Sequence, residues 1–194
     1  MHLAFDIFQG IGIAAALGIR PYLPSLAVGG LAAAGVEIHF THTQYHFLQA
    51  IPFLLVMVVG TVLLAIMESR SRLDGRFRTP VLAAFSMVLG AMFFAGSLAR
   101  GGYSPAPGFL GGLLCAGVGL AASRPFLARL RTRLDAQSAS VGVPVIAEGS
   151  ALVIAVLSVL APPLGLVALV ALLWLLWSGS GREETKYAGL RILR

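Results

Sequence analysis

The sequence predicts an all-α membrane protein of about seven transmembrane helices, arranged as a two-fold internal repeat with broken helices. Of the 194 residues, 58% are hydrophobic and 11% are charged, which is less than half the roughly 25% charge of a soluble domain. Several apolar runs are long enough to cross a hydrocarbon core of roughly 30 Å. A motif near the N-terminus also recurs in degenerate form from Gly117 onward.

The internal repeat predicts a helix break in each copy. The small-residue run of residues 10–19 ends at Arg20-Pro21-Tyr22-Leu23-Pro24, and the run from Gly117 ends at Arg124-Pro125-Phe126-Leu127. Proline lacks a backbone N–H and disfavours helical conformation in the residue before it. Matching breaks in two repeats point to a binding site in a membrane protein. The predicted pathway residues at the breaks are Arg20, Pro21, Tyr22, Pro24, Arg124 and Pro125.

The apolar runs predict the crossings in order. The first is 3–19, a retained helix because no basic segment precedes it. The run 22–36 has about 15 residues, so it either crosses at a thin place or is re-entrant, which would leave six crossings. The remaining crossings are predicted at 47–67, 80–99, 108–123, 141–161 and 164–177, with an amphipathic surface helix at 125–137. One transmembrane domain therefore covers 1–194, with repeat one at 3–99, repeat two at 108–178 and a basic tail at 179–194.

Two stripes of small residues predict close helix packing. Residues four apart lie on one face of a helix, and small side chains there allow another helix to approach closely. The stripes are Gly10, Ala14 and Gly18 in the first run and Gly108, Gly112 and Ala116 in the second.

Loop charge predicts the orientation. The segments 68–78, 124–133 and 182–194 are rich in Arg and Lys, whereas 37–46, 100–107 and 162–163 contain none or one. Because cytoplasmic loops carry the excess of basic residues, the C-terminus is expected in the cytoplasm and the N-terminus outside. A re-entrant second segment would move the N-terminus inside. The net charge of +6 is dispersed over these loops without a basic face, so we expect no nucleic-acid binding.

Glu148 is the most informative single position. It lies about six residues, or about 9 Å, into the apolar run that starts at Val141, and a carboxylate at that depth is costly. It is either a ligand for an ion or proton, a partner of Arg20 or Arg124, or a structural contact near the membrane edge. The two arginines themselves either bind an anion or lipid headgroup or only satisfy topology and the helix C-terminal dipole.

Metal, cofactor and enzyme signatures are weak. His39, His42 and His46 would share a face if their loop were helical, but their spacing matches no standard zinc signature, so interfacial histidines are the preferred interpretation. Cys115 is the single cysteine, which excludes a disulfide framework. We expect no cofactor and no enzymatic activity because HExxH, GxSxG and Walker-type motifs are missing.

Motifs at the two ends of the chain carry a family resemblance. They are Gly-x-Gly-Ile-Ala-Ala-Ala at 10–16, Pro21-Tyr22-Leu23-Pro24, and Lys186-Tyr187-Ala188-Gly189-Leu190-Arg191-Ile192-Leu193-Arg194. With these, the chain resembles the domain of unknown function 4126 family of small bacterial multi-pass membrane proteins. The resemblance implies a location in the bacterial inner membrane and carries over no activity.

Together these features predict a small channel or transporter for an ion, small solute or lipid. Its pathway is expected at the repeat interface, lined by the Arg20 to Pro24 break and by Glu148. The alternative is a non-transporting lipid-binding scaffold or membrane assembly factor, in which 125–137 and the basic tail hold anionic lipid headgroups. The glycine-rich stripes also suggest a homo-oligomer.

Overall fold

The computed structural model describes residues 2–41, 43–69 and 75–188. Within these ranges the chain forms seven α-helices and one short 3₁₀ helix, His46–Gln49. The helices are α1 His2–Ile19, α2 Tyr22–Ala33, α3 Ile51–Ser69, α4 Gly75–Arg100, α5 Ala106–Arg133, α6 Ala136–Leu160 and α7 Pro163–Ala188. His42, the middle of the predicted arginine-rich loop (70–74) and the end of the predicted basic tail (189–194) lie outside the described residues.

Three of the described helices are long and apolar enough to cross a membrane. They are Pro80–Arg100 in α4, Ala106–Arg133 in α5 and Val141–Leu160 in α6. Shorter apolar helices make up the rest of the bundle, at Leu3–Ile19, Tyr22–Ala33, Ile51–Leu63 and Pro163–Ser178. The described part of the chain is entirely helical and loop, in agreement with the predicted all-α membrane protein.

Helix α1 lies at the centre of the bundle and packs against α2, α4, α5, α6 and α7. Ser97 of α4 donates to the Asp6 carbonyl at 2.7 Å, so α4 runs antiparallel to α1. Gln9 donates to the Val159 carbonyl of α6 at 3.2 Å, and α6 is antiparallel to α1 as well. We call the two ends of this bundle the Asp6 end and the Arg20 end. Every residue of α1 from Gly12 to Gly18 is buried, because neighbouring helices cover it on all sides.

The predicted small-residue stripes lie where α1, α4 and α5 meet. A Cβ added to Gly112 of α5 would lie 2.6 Å from the Cα of Ala91 of α4. A Cβ added to Gly90 of α4 would lie 2.8 Å from the Cβ of Ala116. In the same region Gly18 of α1 faces the backbone of Ala116, Gly10 faces Phe94, Gly108 faces Ala95, and Ala14 is fully buried. The absence of larger side chains therefore lets three backbones approach each other.

The segment after the first break returns to the Asp6 end. Helix α2 has 12 residues, or about 18 Å, and ends at Ala33 with Ala34 as its C-cap. Gly35 follows the cap, and its φ of +70° suits glycine at that position. The chain continues to Glu37, whose carbonyl accepts a hydrogen bond from Arg100. Since Arg100 also pairs with Asp6, the helix and the turn of residues 34–37 after it reach the Asp6 end. A segment that turned back to the Arg20 end would not make this contact.

The predicted break at Arg124-Pro125 is wrong. Helix α5 runs without interruption from Ala106 to Arg133, with Pro125 inside it. The predicted separate surface helix of 125–137 is therefore the C-terminal part of α5 as far as Arg133. An interior proline removes one backbone hydrogen bond and crowds the preceding turn, but the remaining hydrogen bonds of this 28-residue helix continue on both sides of it. Arg20 and Arg124 consequently have different settings, and the breaks do not match.

Candidate functional site

The first break places a charged residue inside the bundle. Helix α1 ends at Ile19, and the Arg20 N–H makes a 3.2 Å hydrogen bond to the Ala16 carbonyl. Pro21 then lies at the start of α2, where its missing N–H costs little. The hydroxyl of Ser25 donates to the Pro21 carbonyl, one turn back at the start of α2. Arg20 is only 7% exposed, so the turn brings a guanidinium into the interior.

Glu148 of α6 faces this arginine. The Nε atom of Arg20 lies 3.9 Å from the Oε1 atom of Glu148, and the two side chains are 8% and 20% exposed. Of the two arginines that the sequence offered as partners of Glu148, the structure brings Arg20 to it. The two oppositely charged groups meet among apolar helices, where the effective dielectric constant is low and their attraction is strong.

The residues flanking the pair are mostly apolar. Tyr22, in the first turn of α2, stacks on Phe85 of α4 with ring centroids 5.4 Å apart, and Pro24 is buried. Along α1 towards the Asp6 end, Ile13 and Leu17 are fully buried. The Arg20–Glu148 pair is therefore separated from the Asp6 end by packed hydrocarbon.

An apolar cavity of about 270 Å³ lies beside the pair. Its wall is formed by Ile19, by the face of α5 from Ala122 to Leu127, and by parts of α6 and α7. Of its polar side chains, Ser123 donates to the Leu120 carbonyl at 3.2 Å and Ser150 to the Ala147 carbonyl at 3.1 Å. The hydroxyl hydrogens are thus used within their own helices, and the cavity surface suits hydrocarbon better than water.

A second polar cluster, at the Asp6 end, is not predicted by the sequence motifs. Asp6 is 2% exposed and its Oδ1 atom lies 2.5 Å from Nη2 of Arg100. One turn further, Gln9 is also 2% exposed, and its Oε1 atom has no hydrogen-bond partner among the described residues. The sequence does contain one indication of this cluster. Arg100 is the single Arg or Lys of the segment 100–107.

The other predicted site residues lie apart from the break. Arg124 is exposed on α5 and Pro125 is half-buried, and neither joins the Arg20–Glu148 pair. His39 and His46 are exposed, whereas His42 is not described. Within the described ranges, no three His, Cys, Asp or Glu side chains come close enough to hold a metal ion.

The fold and this site define a class of protein, a helical membrane protein with an ion pair at a helix break. Comparison with protein-family models matches residues 7–180 to a domain of unknown function, DUF4126. The match covers most of the chain, which therefore belongs to the DUF4126 family, and the family resemblance is confirmed; the C-terminal motif of residues 186–194 lies outside the matched range. No curated protein and no solved structure matches the chain.

Proposed function

We propose that this protein is a small membrane transporter of a small anion, such as a carboxylate or phosphate, and that Arg20 and Glu148 bind and gate the anion. The observation that carries the proposal is the position of Arg20. It lies 3.9 Å from Glu148 at a helix break, with a side chain only 8% exposed.

Stability alone does not account for such a pair. Removing two charges from water costs several kcal/mol per ion, and an apolar pair of similar volume is often as stable or more stable. Ionisable residues inside a membrane protein are functional by default for the same reason. The first break adds to this cost, because it interrupts the backbone hydrogen bonds at the end of the central helix α1.

The pair has the chemistry of a competitive anion site. The guanidinium of Arg20 is permanently charged and offers a planar set of donors that matches a carboxylate or a phosphate. In the structure this position is held by the Glu148 carboxylate. An entering anion would displace Glu148, which would then bear an uncompensated charge unless it took up a proton from water. Anion binding at Arg20 is thereby linked to proton uptake at Glu148.

The second ion pair, Asp6–Arg100, would close the proposed pathway at the Asp6 end of the bundle. Asp6 and Arg20 are both on or next to α1, and 14 residues separate them, so they lie about 21 Å apart along the axis. Asp6 pairs with Arg100, and Arg20 pairs with Glu148. Between them the fully buried Ile13 and Leu17 leave a packed interior. The proposed transport cycle opens one ion pair at a time, which exposes the interior to one side of the membrane.

The test is flux into proteoliposomes that contain the full chain. The probes are inorganic phosphate, succinate and chloride, each with and without an inward proton gradient. We expect at least one anion to enter faster than into empty vesicles, and Arg20→Gln to reduce that rate at least tenfold. Glu148→Gln should retain uptake but lose its acceleration by the proton gradient, because a neutral amide takes up no proton.

The matched control is Arg131→Gln, which removes an arginine of the same end that is exposed on α5. It should transport as the wild type does. Rates equal to empty vesicles for all three anions would refute the proposal, as would wild-type rates in Arg20→Gln. Circular dichroism and size-exclusion chromatography of each variant separate loss of transport from loss of fold.

A second candidate function is a lipid-binding scaffold or membrane assembly factor without transport. The observation in its favour is the packed interior between the two ion pairs, where Ile13 and Leu17 are fully buried, together with the apolar cavity beside Ile19. Chemical cross-linking in membranes discriminates further, because an assembly factor should be captured with another protein. The same cross-linking tests the proposed homo-oligomer. The exposed apolar face of α3 is a surface for it, and Val56 there is 61% exposed.

A further inference from the structure

The cavity at the Arg20 end has the properties of a site for hydrocarbon. Its volume is about 270 Å³, and apolar atoms supply nearly all of its surface. Phe126, in its wall, is 41% exposed, so the cavity opens at the outer surface of the bundle. An apolar space of this size is poorly filled by water, since a buried water needs two to four polar partners. In a membrane, the molecules that reach such an opening are lipid acyl chains.

Helix α5 carries arginines directly beyond this cavity. Residues three, four and seven apart share a helix face, so Arg129 and Arg133 lie on the same side of α5 as Phe126. They follow it by about 4.5 and 10.5 Å along the axis. Both arginines are exposed. Arg131 follows Leu127 of the cavity wall by four residues. Measured from Phe126, however, Arg124 and Arg131 lie about 160° and 140° around the helix, further than Arg129 and Arg133 at about 60° and 20°.

The length of α5 places these arginines at headgroup level. The helix has 28 residues, or about 42 Å, which exceeds a hydrocarbon core of roughly 30 Å. If the apolar N-terminal part lies in the core, the last two turns extend beyond it on the Arg20 side. The apolar cavity thus lies at the depth of an acyl chain, and Arg129 and Arg133 lie beyond it at the depth of the lipid phosphate. Arginine offers two parallel donors to a phosphate, which adds geometric selectivity to charge attraction.

We propose that the cavity between α5, α6 and α7 binds one acyl chain of an anionic phospholipid whose phosphate is held by Arg129 and Arg133. The site is separate from the proposed anion pathway, because Arg20 faces Glu148 whereas the cavity lies next to Ile19. It does not depend on transport. A lipid in this cavity contacts the last residue of α1, so its presence supports the helix end from which the break begins.

Native mass spectrometry of the full chain in detergent tests the site with dioleoyl phosphatidylglycerol and dioleoyl phosphatidylcholine as probes. We expect one retained phosphatidylglycerol that binds at least tenfold more tightly than phosphatidylcholine. Arg129→Gln combined with Arg133→Gln should abolish this preference, whereas Arg131→Gln should keep it. Equal affinity of the wild type for the two lipids, or an unchanged preference in the double variant, would overturn the proposal.

The acyl chain is tested separately from the headgroup. Ala171→Phe places a ring in the cavity wall and should reduce retention of both lipids, whereas Val170→Phe adds the same ring on an exposed side of α7 and should not. Water-soluble dibutanoyl phosphatidylglycerol and inorganic phosphate should each bind at least tenfold more weakly than the dioleoyl lipid. If either binds equally well, the site recognises only a free anion or headgroup, and the proposal fails.

Photolabelling of the wild-type protein tests the same site without relying on variants that could fail to fold. Phosphatidylglycerol with a photoreactive diazirine in its acyl chain should label cavity residues such as Ile154 and Leu172. Unlabelled phosphatidylglycerol should compete for this labelling more effectively than phosphatidylcholine. Labelling confined to other surfaces, such as the exposed face of α3, would contradict the cavity as the acyl site.

Discussion

Arg100, in the last turn of α4, donates from Nη2 to the Oδ1 atom of Asp6 at 2.5 Å, and so joins two helices at the end of the bundle opposite Glu148. Its Nη1 atom donates to the carbonyl of Glu37 in the loop after α2. The Asp6 side chain is 3% exposed and that of Arg100 is 22% exposed. One arginine therefore holds together three segments that are distant in the chain.

Loss of the Asp6 charge should destabilise this end. In Asp6→Asn the guanidinium of Arg100 loses its ionic partner in a partly buried setting, and we expect the free energy of unfolding to fall by about 1–3 kcal/mol. Thermal unfolding in detergent measures the change. Glu37→Gln is the matched control, since Arg100 bonds to the backbone carbonyl of Glu37, and its stability should equal that of the wild type. Wild-type stability in Asp6→Asn would show that the pair contributes nothing.

Packing of α5 against α4 depends on Gly112. In Gly112→Ala the new Cβ would meet the Cα of Ala91 at 2.6 Å and the carbonyl carbon of Gly90 at 2.8 Å. Both are backbone atoms, so the helices must separate, and we expect a loss of about 1–3 kcal/mol in unfolding free energy. Gly30→Ala, in α2, meets no atom within 4 Å and should gain up to about 1 kcal/mol from helix propensity. A stability ranking in the reverse order would contradict the close packing.

The loop between α2 and α3 depends on one buried amide. The N–H of Phe40 donates to the Oε1 atom of Gln49 at 2.7 Å, and Phe40 is fully buried. Gln49→Ala leaves that N–H without its acceptor, at a cost of about 1–3 kcal/mol. Limited proteolysis should then cleave residues 34–46 faster than in the wild type. Gln44→Ala, at an exposed position of the same loop, should be cleaved at the wild-type rate.

The sequence predicted those features that depend on neighbouring residues in the chain, namely the end of α1 and the need of Glu148 for a partner. The end of α1 at Ile19 follows from Pro21, whose ring disfavours helix at Arg20. Glu148 was identified because a carboxylate in an apolar run needs a partner, and the structure supplies Arg20. Which of two arginines that partner would be was not determined by sequence spacing, because it depends on the packing of α6 against α1.

The errors have physical reasons as well. Two prolines, Pro21 and Pro24, follow the end of α1 at the first break, whereas Pro125 is the single proline of α5 beyond its first turn. A single interior proline removes one hydrogen bond, and the surrounding helix absorbs that loss. The Asp6–Arg100 pair joins residues 94 apart, and no local pattern predicts a contact of that range.

The continuity of α5 predicts different effects for the two Arg-Pro prolines. Pro125→Ala should restore the backbone hydrogen bond that an interior proline removes and raise the free energy of unfolding by about 1–3 kcal/mol. Pro21→Ala should give no such gain, because Pro21 lies at the start of α2 where its N–H has no helical acceptor. Unfolding of the two variants in detergent, side by side, decides this. An equal change in stability for the two variants would instead indicate that the chain has equivalent helix breaks at Pro21 and Pro125, as the internal repeat predicts.

Orientation is predicted by the two ends of the bundle. The Arg20 end carries Arg129, Arg131 and Arg133 of α5, and by the positive-inside tendency it should face the cytoplasm. Two single cysteines in a Cys115→Ala background report on this: Ser104→Cys in the loop before α5 and Ser138→Cys near the start of α6, both at exposed positions. In intact cells a membrane-impermeant maleimide should label Ser104→Cys and not Ser138→Cys, and lysis should make both reactive. The inverse labelling would reverse the orientation, and it would place the arginine rim of the proposed lipid site on the outer leaflet.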